Sequence, residues 1–295
     1  MKSISAVLLL AVLAPLSFSP LAAQVSAFEA LKVSISQQRF EFPVPPAAQP
    51  ALYKSGVSAT PVSGEELFAY LHEATAPAAQ KTPSSYKGAK AFMYSKADNT
   101  GCGATPGIVT FYSQICVKGA SENGDSYKEQ GDQNGDGVVD GFINAEHIWP
   151  QGYFNRSLPM VADLHHLSPT FVTPNGRRAN YKFGVVAAPS YATSAGSKLG
   201  KEIFEPTDAV KGNVARAMLY FVVRYYDKSI RQGMNYDEFW IRRVPMLLEW
   251  NRQDPPDANE LRRNGLVEGF QGNRNPFIDN PSLADQIGAA VFAAH

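Results

Sequence analysis

The strongest periodicity in the chain is helical. Val210, Val214, Met218, Phe221, Val222 and Tyr225 recur every three or four residues and so share one face, which predicts a long helix over residues 208–230. Ser63 followed by Glu66 has the form of a capping box. Leu67, Tyr70 and Leu71 then follow at helical spacing, so an ordered domain is expected to begin here. Within residues 237–251 a helix is expected to be interrupted or begun at Pro245, because proline is tolerated only in a first turn. A further helix is expected within residues 257–267. The middle of the chain reads differently. Residues 107–117 are rich in β-branched and aromatic side chains, and residues 142–149 and 164–171 read as two short strands. Residues 175–180 read as the start of a short helix or a tight turn. The pattern predicts an α+β fold, with strands placed centrally and helices dominating the C-terminal half. No internal repeat is visible.

The N-terminus carries a different signal. Lys2 precedes an apolar run over residues 4–16, and small residues follow at Ala22, Ala23 and Ala27. This is the three-part pattern of a secretory signal, with cleavage after Ala23 or Ala27, and the run is too short for a membrane span. Residues 24–62 contain Pro43, Pro45, Pro46 and Pro50 and read as an arm outside the core. Residues 63–295 then form a single domain. The expected location is secreted or periplasmic, with no membrane association and a monomeric state. Cys102 and Cys116 are the two cysteines of the chain. In an oxidising compartment they are expected to pair, which stabilises by roughly 3 kcal/mol in the chain-entropy model.

Charge alone points to no partner, since 27 Lys and Arg balance 27 Asp and Glu. Local patterning is more informative. Arg242, Arg243, Arg252, Arg262, Arg263 and Arg274 crowd one C-terminal stretch, which by itself reads as a solvated helical surface.

Candidate chemistry concentrates in residues 144–184, which hold Glu146, His147, Asp163, His165, His166, Asn175, Arg177, Arg178 and Asn180. Phosphodiester cleavage needs a base to take a proton from water, and a neutral imidazole suits that role near neutral pH. It also needs positive charge beside the phosphorus and the leaving oxygen, which a divalent cation on hard oxygen ligands supplies. Glu146 offers a carboxylate and Asn175 an amide oxygen, leaving most of a magnesium shell for water and phosphate. On a strand Glu146 and His147 would point to opposite faces, so the chain must turn there if both serve one phosphate. His165 and His166 read as structural, as do Trp149 and Pro150.

Three segments carry a resemblance. NAEHIWPQ, DLHHLSP and NGRRANYKFG, in that order, resemble the bacterial endonuclease I family of secreted or periplasmic nucleases. KGNVARAMLYFVVRYY, LLEWNRQDPPDANELRRN and QGNRNPFIDNP further along are similar to it as well. The resemblance implies a ββα-metal (His-Me finger) catalytic core embedded in a mainly helical domain. It implies His147 as general base, Glu146 as metal ligand, and Asn175 as second ligand with Asn180 in reserve. It implies magnesium, with manganese as a substitute, and cleavage of DNA, often of RNA too, without strong sequence preference, leaving 5′-phosphates. Arg178 fits the position of the arginine that supports the transition state, with Arg156 as a rival closer to the catalytic pair. Arg262, Arg263 and Arg274 then become candidate phosphate contacts.

A separate motif precedes the catalytic segment. Asp132, Asn134, Asp136, Val138 and Asp140 fall at oxygen-donor positions of an EF-hand loop, with Gly137 at its sharp turn. Ile143 stands where the closing glutamate belongs. The loop is a candidate site for a structural calcium ion. Two other functional classes compete with the nuclease: a zinc hydrolase or protease built on His147, His165 and His166, and a calcium-dependent adhesion module built on this loop alone. Against zinc, no His-Glu-x-x-His helix is present.

Overall fold

The computed structural model describes residues 63–76, 85–118 and 143–295. The expected signal segment, the proline-rich arm and the Asp132–Asp140 loop lie outside the described residues.

Helix α1 spans Gly64–Thr75 and buries Leu67, Phe68, Leu71 and Thr75. The helix begins where the sequence places it, but the Ser63 side chain makes no cap hydrogen bond, and Tyr70 faces outward at 43% exposure. Helix α2, Tyr86–Phe92, was not expected. It is capped by Ser85, whose hydroxyl accepts from the Gly88 amide, and it continues as a wider π turn over Met93–Ala97. Strands β1 (Gly107–Val109) and β2 (Cys116–Lys118) form a hairpin. The disulfide Cys102–Cys116 ties β2 to the segment before β1.

Strand β3 (Ile143–His147) pairs antiparallel with β4 (Leu167–Phe171), with Glu146 opposite Ser168 and His147 opposite Leu167. Strand β4 begins three residues later than the sequence suggests. Residues 164–166 instead form a 3-10 turn, because the Asp163 carboxylate accepts the amide N–H of His165 at 2.9 Å. Strand β4 runs directly into helix α3, Val172–Arg178, giving a strand, strand, helix unit. Asn175 therefore sits within a helix rather than at its start.

A small sheet follows, made of β5 (Lys182–Phe183), β6 (Tyr191–Ala192), β7 (Lys198–Gly200) and β8 (Ile203–Glu205) in the order β5-β8-β7-β6. Strands of two or three residues leave too little alternation to be read from sequence. The rest is helical: α4 (Lys211–Tyr225), α5 (Tyr236–Phe239), α6 (Val244–Gln253), α7 (Ala258–Gln271), α8 (Pro276–Asp279), α9 (Leu283–Ile287) and α10 (Ala289–Ala294). Pro245 sits in the first turn of α6, where its missing N–H costs nothing.

Helix α4 is the centre of the domain. The face predicted from Val214, Met218, Phe221, Val222 and Tyr225 is buried, but so are Arg216, Leu219, Tyr220 and Val223. A helix buried on all sides carries more apolar positions than one stripe. Gly212 lets α6 approach, since a Cβ there would lie 1.9 Å from the Asp254 carbonyl oxygen. Arg216 grips Glu260 of α7 with two bonds of 2.7 and 2.5 Å, so the charge within the core is paired. Among the described residues no helix is long and apolar enough to cross a membrane.

Candidate active site

Glu146 and His147 end strand β3, and both are buried, at 2% and 4% exposure. Oε1 of Glu146 accepts a hydrogen bond from the Tyr112 hydroxyl at 2.8 Å and lies 2.9 Å from Nη1 of Arg178. Oε2 accepts no hydrogen bond from the described residues. Burial pushes the Glu146 carboxyl above its ordinary range, although Arg178 and Tyr112 both pull it back. Nε2 of His147 lies 3.0 Å from the Val161 carbonyl oxygen. A carbonyl can only accept, so Nε2 carries the hydrogen and Nδ1 keeps the lone pair. Burial, helped by repulsion from His166, pushes this imidazole down to about 3, so it is neutral at neutral pH.

Asn175 reaches the same place from α3. Its Nδ2 donates to Asn144 Oδ1 at 2.7 Å and to the Ala145 carbonyl at 3.4 Å. The Ala145 carbonyl fixes which end of the amide is nitrogen, so Oδ1 of Asn175 is turned away from it. Glu146, His147, Asn175 and Asn180 line one cavity of about 270 Å³, together with Tyr86, Lys90, Gln151 and Arg178. One carboxylate oxygen and one amide oxygen make an oxygen-only set suited to a hard divalent cation that keeps much of its water. The histidines offer no alternative centre. His147, His165 and His166 each direct Nε2 to a different carbonyl, of Val161, Asn273 and Met160. Among the described residues no group of three or more His, Cys, Asp or Glu could hold a metal ion.

The sequence profile of endonuclease I matches residues 66–282, which encloses every one of these side chains. The chain belongs to the endonuclease I family. Among its relatives, an extracellular ribonuclease of Bacillus subtilis (strain 168) is 39% identical over 168 residues, covering 52% of this chain and 56% of the relative. An extracellular ribonuclease of Bacillus amyloliquefaciens is 37% identical over 166 residues, with the same coverage of 52% and 56%. An extracellular deoxyribonuclease of Aeromonas hydrophila is 32% identical over 136 residues, covering 43% of this chain and 51% of the relative. The chain thus spans about half the length of the relatives it matches.

Within this endonuclease I chain the arginines divide sharply. Arg178 is almost wholly buried at 1% exposure. It donates to the carbonyls of His147 (2.9 Å) and Ile148 (2.6 Å) besides facing Glu146, and it lies over the Phe183 ring at 4.5 Å. Arg156 is exposed in the connection from β3 to β4 and makes no hydrogen bond or ion pair through its side chain among the described residues. It is near enough to His147 to oppose that residue's protonation. The structure does not bring Arg262, Arg263 and Arg274 to the cavity. Arg263 grips both oxygens of Asp98 and the carbonyls of Leu164 and Leu167. Arg274 is taken by Asp279 and Glu268, and Arg262 donates to the Ala97 carbonyl. Each of the three thus has an internal partner, and Arg262 and Arg263 line a different cavity.

His165, His166 and Asp163 are buried, and each is hydrogen-bonded within the fold. Asp163 is buried and accepts hydrogen bonds from Tyr220, Tyr225, Gln271 and the amide of His165. Trp149 packs on Phe221, and its Nε1 donates to the Ile230 carbonyl. Three residues of the site went unread. Tyr112 carries no local pattern. Tyr86 and Lys90 reach the cavity on α2, whose only signal is the Ser85 cap.

Proposed function

We propose that this chain is a secreted or periplasmic endonuclease that hydrolyses phosphodiester bonds of nucleic acid, with β3, β4 and α3 as a ββα-metal core. One observation carries the reading. The unbonded oxygen of Glu146, the amide of Asn175 and the imidazole of His147 belong to three residues lining one cavity at the strand, strand, helix junction. Glu146 and Asn175 are the residues that would hold a magnesium or manganese ion, which supplies positive charge for the phosphorane-like transition state and the leaving 3′ oxygen.

The remaining work belongs to the chain itself. His147 accepts the proton of the attacking water on Nδ1. Its Nε2–H stays on the Val161 carbonyl, which holds the ring in place and favours the imidazolium as it forms. The cavity binds the phosphate through Lys90 and Asn180. Arg156 is assigned to the phosphate oxygens, because it is exposed and has no side-chain hydrogen bond or ion pair among the described residues, and Arg178 to holding Glu146, which it faces at 2.9 Å. Attack from the side opposite the 3′ oxygen leaves the phosphate on the 5′ end.

Both nucleic acids are proposed as substrates, without strong sequence preference. Relatives named for ribonuclease and for deoxyribonuclease activity support both substrates. The N-terminal signal pattern, the disulfide and relatives named extracellular or periplasmic support export.

Incubation with plasmid DNA and with structured RNA, in EDTA and after magnesium is restored, tests the reading. Cleavage that needs the metal and drops by a factor of 100 or more in His147→Ala, roughly the contribution of a general base, is the expected result. Full cleavage in EDTA, or an unimpaired His147→Ala protein, overturns it.

A further inference from the structure

Glu146 can serve a cation with one oxygen only if something decides which one. Arg178 meets Oε1 through Nη1 alone and not as a two-pronged fork, so a single contact on that side holds the carboxylate against turning about its last torsion. The Tyr112 hydroxyl is a single donor at a fixed point, 2.8 Å from Oε1. Tyr112 is fully buried in the turn joining β1 to β2, 34 residues before Glu146. It is held at both ends. Its carbonyl accepts from the hydroxyls of Thr193 at 2.9 Å and Ser197 at 2.7 Å, and its ring lies 4.7 Å from that of Phe204.

We propose that Tyr112 is a positioning residue of the nuclease: its hydroxyl holds Oε1 of Glu146 and thereby presents Oε2 to the divalent cation. The small sheet acquires a role through the same chain of contacts, since Thr193 and Ser197 anchor the tyrosine that orients the ligand. The proposal rests on the reading of Glu146 as a metal ligand. Partners behind a ligand of this kind are worth a factor of 10 to 100 in metal affinity or activity.

The test uses the full chain in three forms: wild type, Tyr112→Phe and Glu146→Gln. Mn²⁺ binding is measured by calorimetry without nucleic acid, and cleavage is measured against metal concentration. Wild type is expected to show an Mn²⁺ site that Glu146→Gln loses. In Tyr112→Phe, which keeps the ring and its packing, the Kd of that site is expected to rise about tenfold or more. The half-saturating metal concentration should rise by the same factor, while the rate at saturating metal and the affinity for DNA in EDTA stay near wild type. Thr193→Val removes one of the two hydroxyls on the Tyr112 carbonyl. It should shift the Kd in the same direction by a smaller factor, and it replaces Tyr112→Phe if that protein does not fold. A folded Tyr112→Phe protein with the wild-type Kd, beside a Glu146→Gln protein that has lost the site, overturns the role of Tyr112 and leaves Glu146 a ligand. If Glu146→Gln binds Mn²⁺ as wild type does, the reading of Glu146 fails and the proposal with it.

Discussion

Between pH 6.5 and 4 the fold is expected to lose stability through His166. The ring is buried among Phe221, Phe154 and His147, and its Nε2 donates to the Met160 carbonyl at 2.7 Å. Burial is the main reason its pKa falls from 6.5 to about 4, against the opposing pull of Asp163. Above pH 6.5 neither the folded nor the unfolded chain is protonated here, so the group costs nothing. Below it the unfolded chain takes up a proton that the folded chain refuses until about pH 4. Stability therefore falls as pH falls through this window, by at most about 1.4 kcal/mol per unit and about 3 kcal/mol in all. His147 and His165, also lowered by burial, add losses of the same sign. Asp163 does not act here. Its carboxyl is held below the ordinary range, so its stabilisation is lost only as pH falls below about 3.9. His166→Gln keeps an N–H donor and removes the titration. Urea unfolding at half-unit steps from pH 4 to 7 gives the slope of stability against pH for both proteins. The wild-type slope should exceed that of the variant by about 0.8 proton, about 1.1 kcal/mol per unit between pH 4.5 and 6. Equal slopes would refute the assignment of His166 as a buried neutral ring.

Other perturbations separate the roles assigned to the charged side chains. Arg178→Met leaves Glu146 buried without its countercharge and is expected to cost about 3–5 kcal/mol in chemical denaturation. Arg156→Ala should leave the unfolding midpoint unchanged, within about 0.5 kcal/mol, while kcat/KM on DNA falls at least tenfold. Arg263→Ala should do the reverse, lowering stability through the lost Asp98 and carbonyl bonds while the salt dependence of DNA binding keeps its slope. The Asp132–Asp140 loop is proposed to hold a structural calcium ion; calorimetric titration should show a calcium site that Asp136→Ala removes.

What could be read from the sequence follows from how locally each feature is determined. The helix at Lys211–Tyr225 was legible because burial imposes its own period on successive turns. Glu146, His147 and Asn175 could be singled out together because they fall in one short segment, and hairpin pairing with a following helix brings them to one cavity. The four-stranded sheet was not, since its strands are shorter than the pattern that would reveal them. Tyr112 was invisible for another reason: its meaning lies in a contact across 34 residues and in two hydroxyls more than 80 residues further on. The arginines show the same limit. An arginine that binds phosphate and one that clamps carbonyls are identical in sequence, and only the acceptors around Arg178 and Arg263 tell them from Arg156. This bears on how a chain with no net charge can act on a polyanion. Part of its positive charge is spent inside the fold on carboxylates and carbonyls, and on the proposed reading an ion held by Glu146 and Asn175 adds positive charge where the phosphate binds. On the proposed reading, the orientation of the Glu146 carboxylate by Tyr112 is the control point for metal affinity.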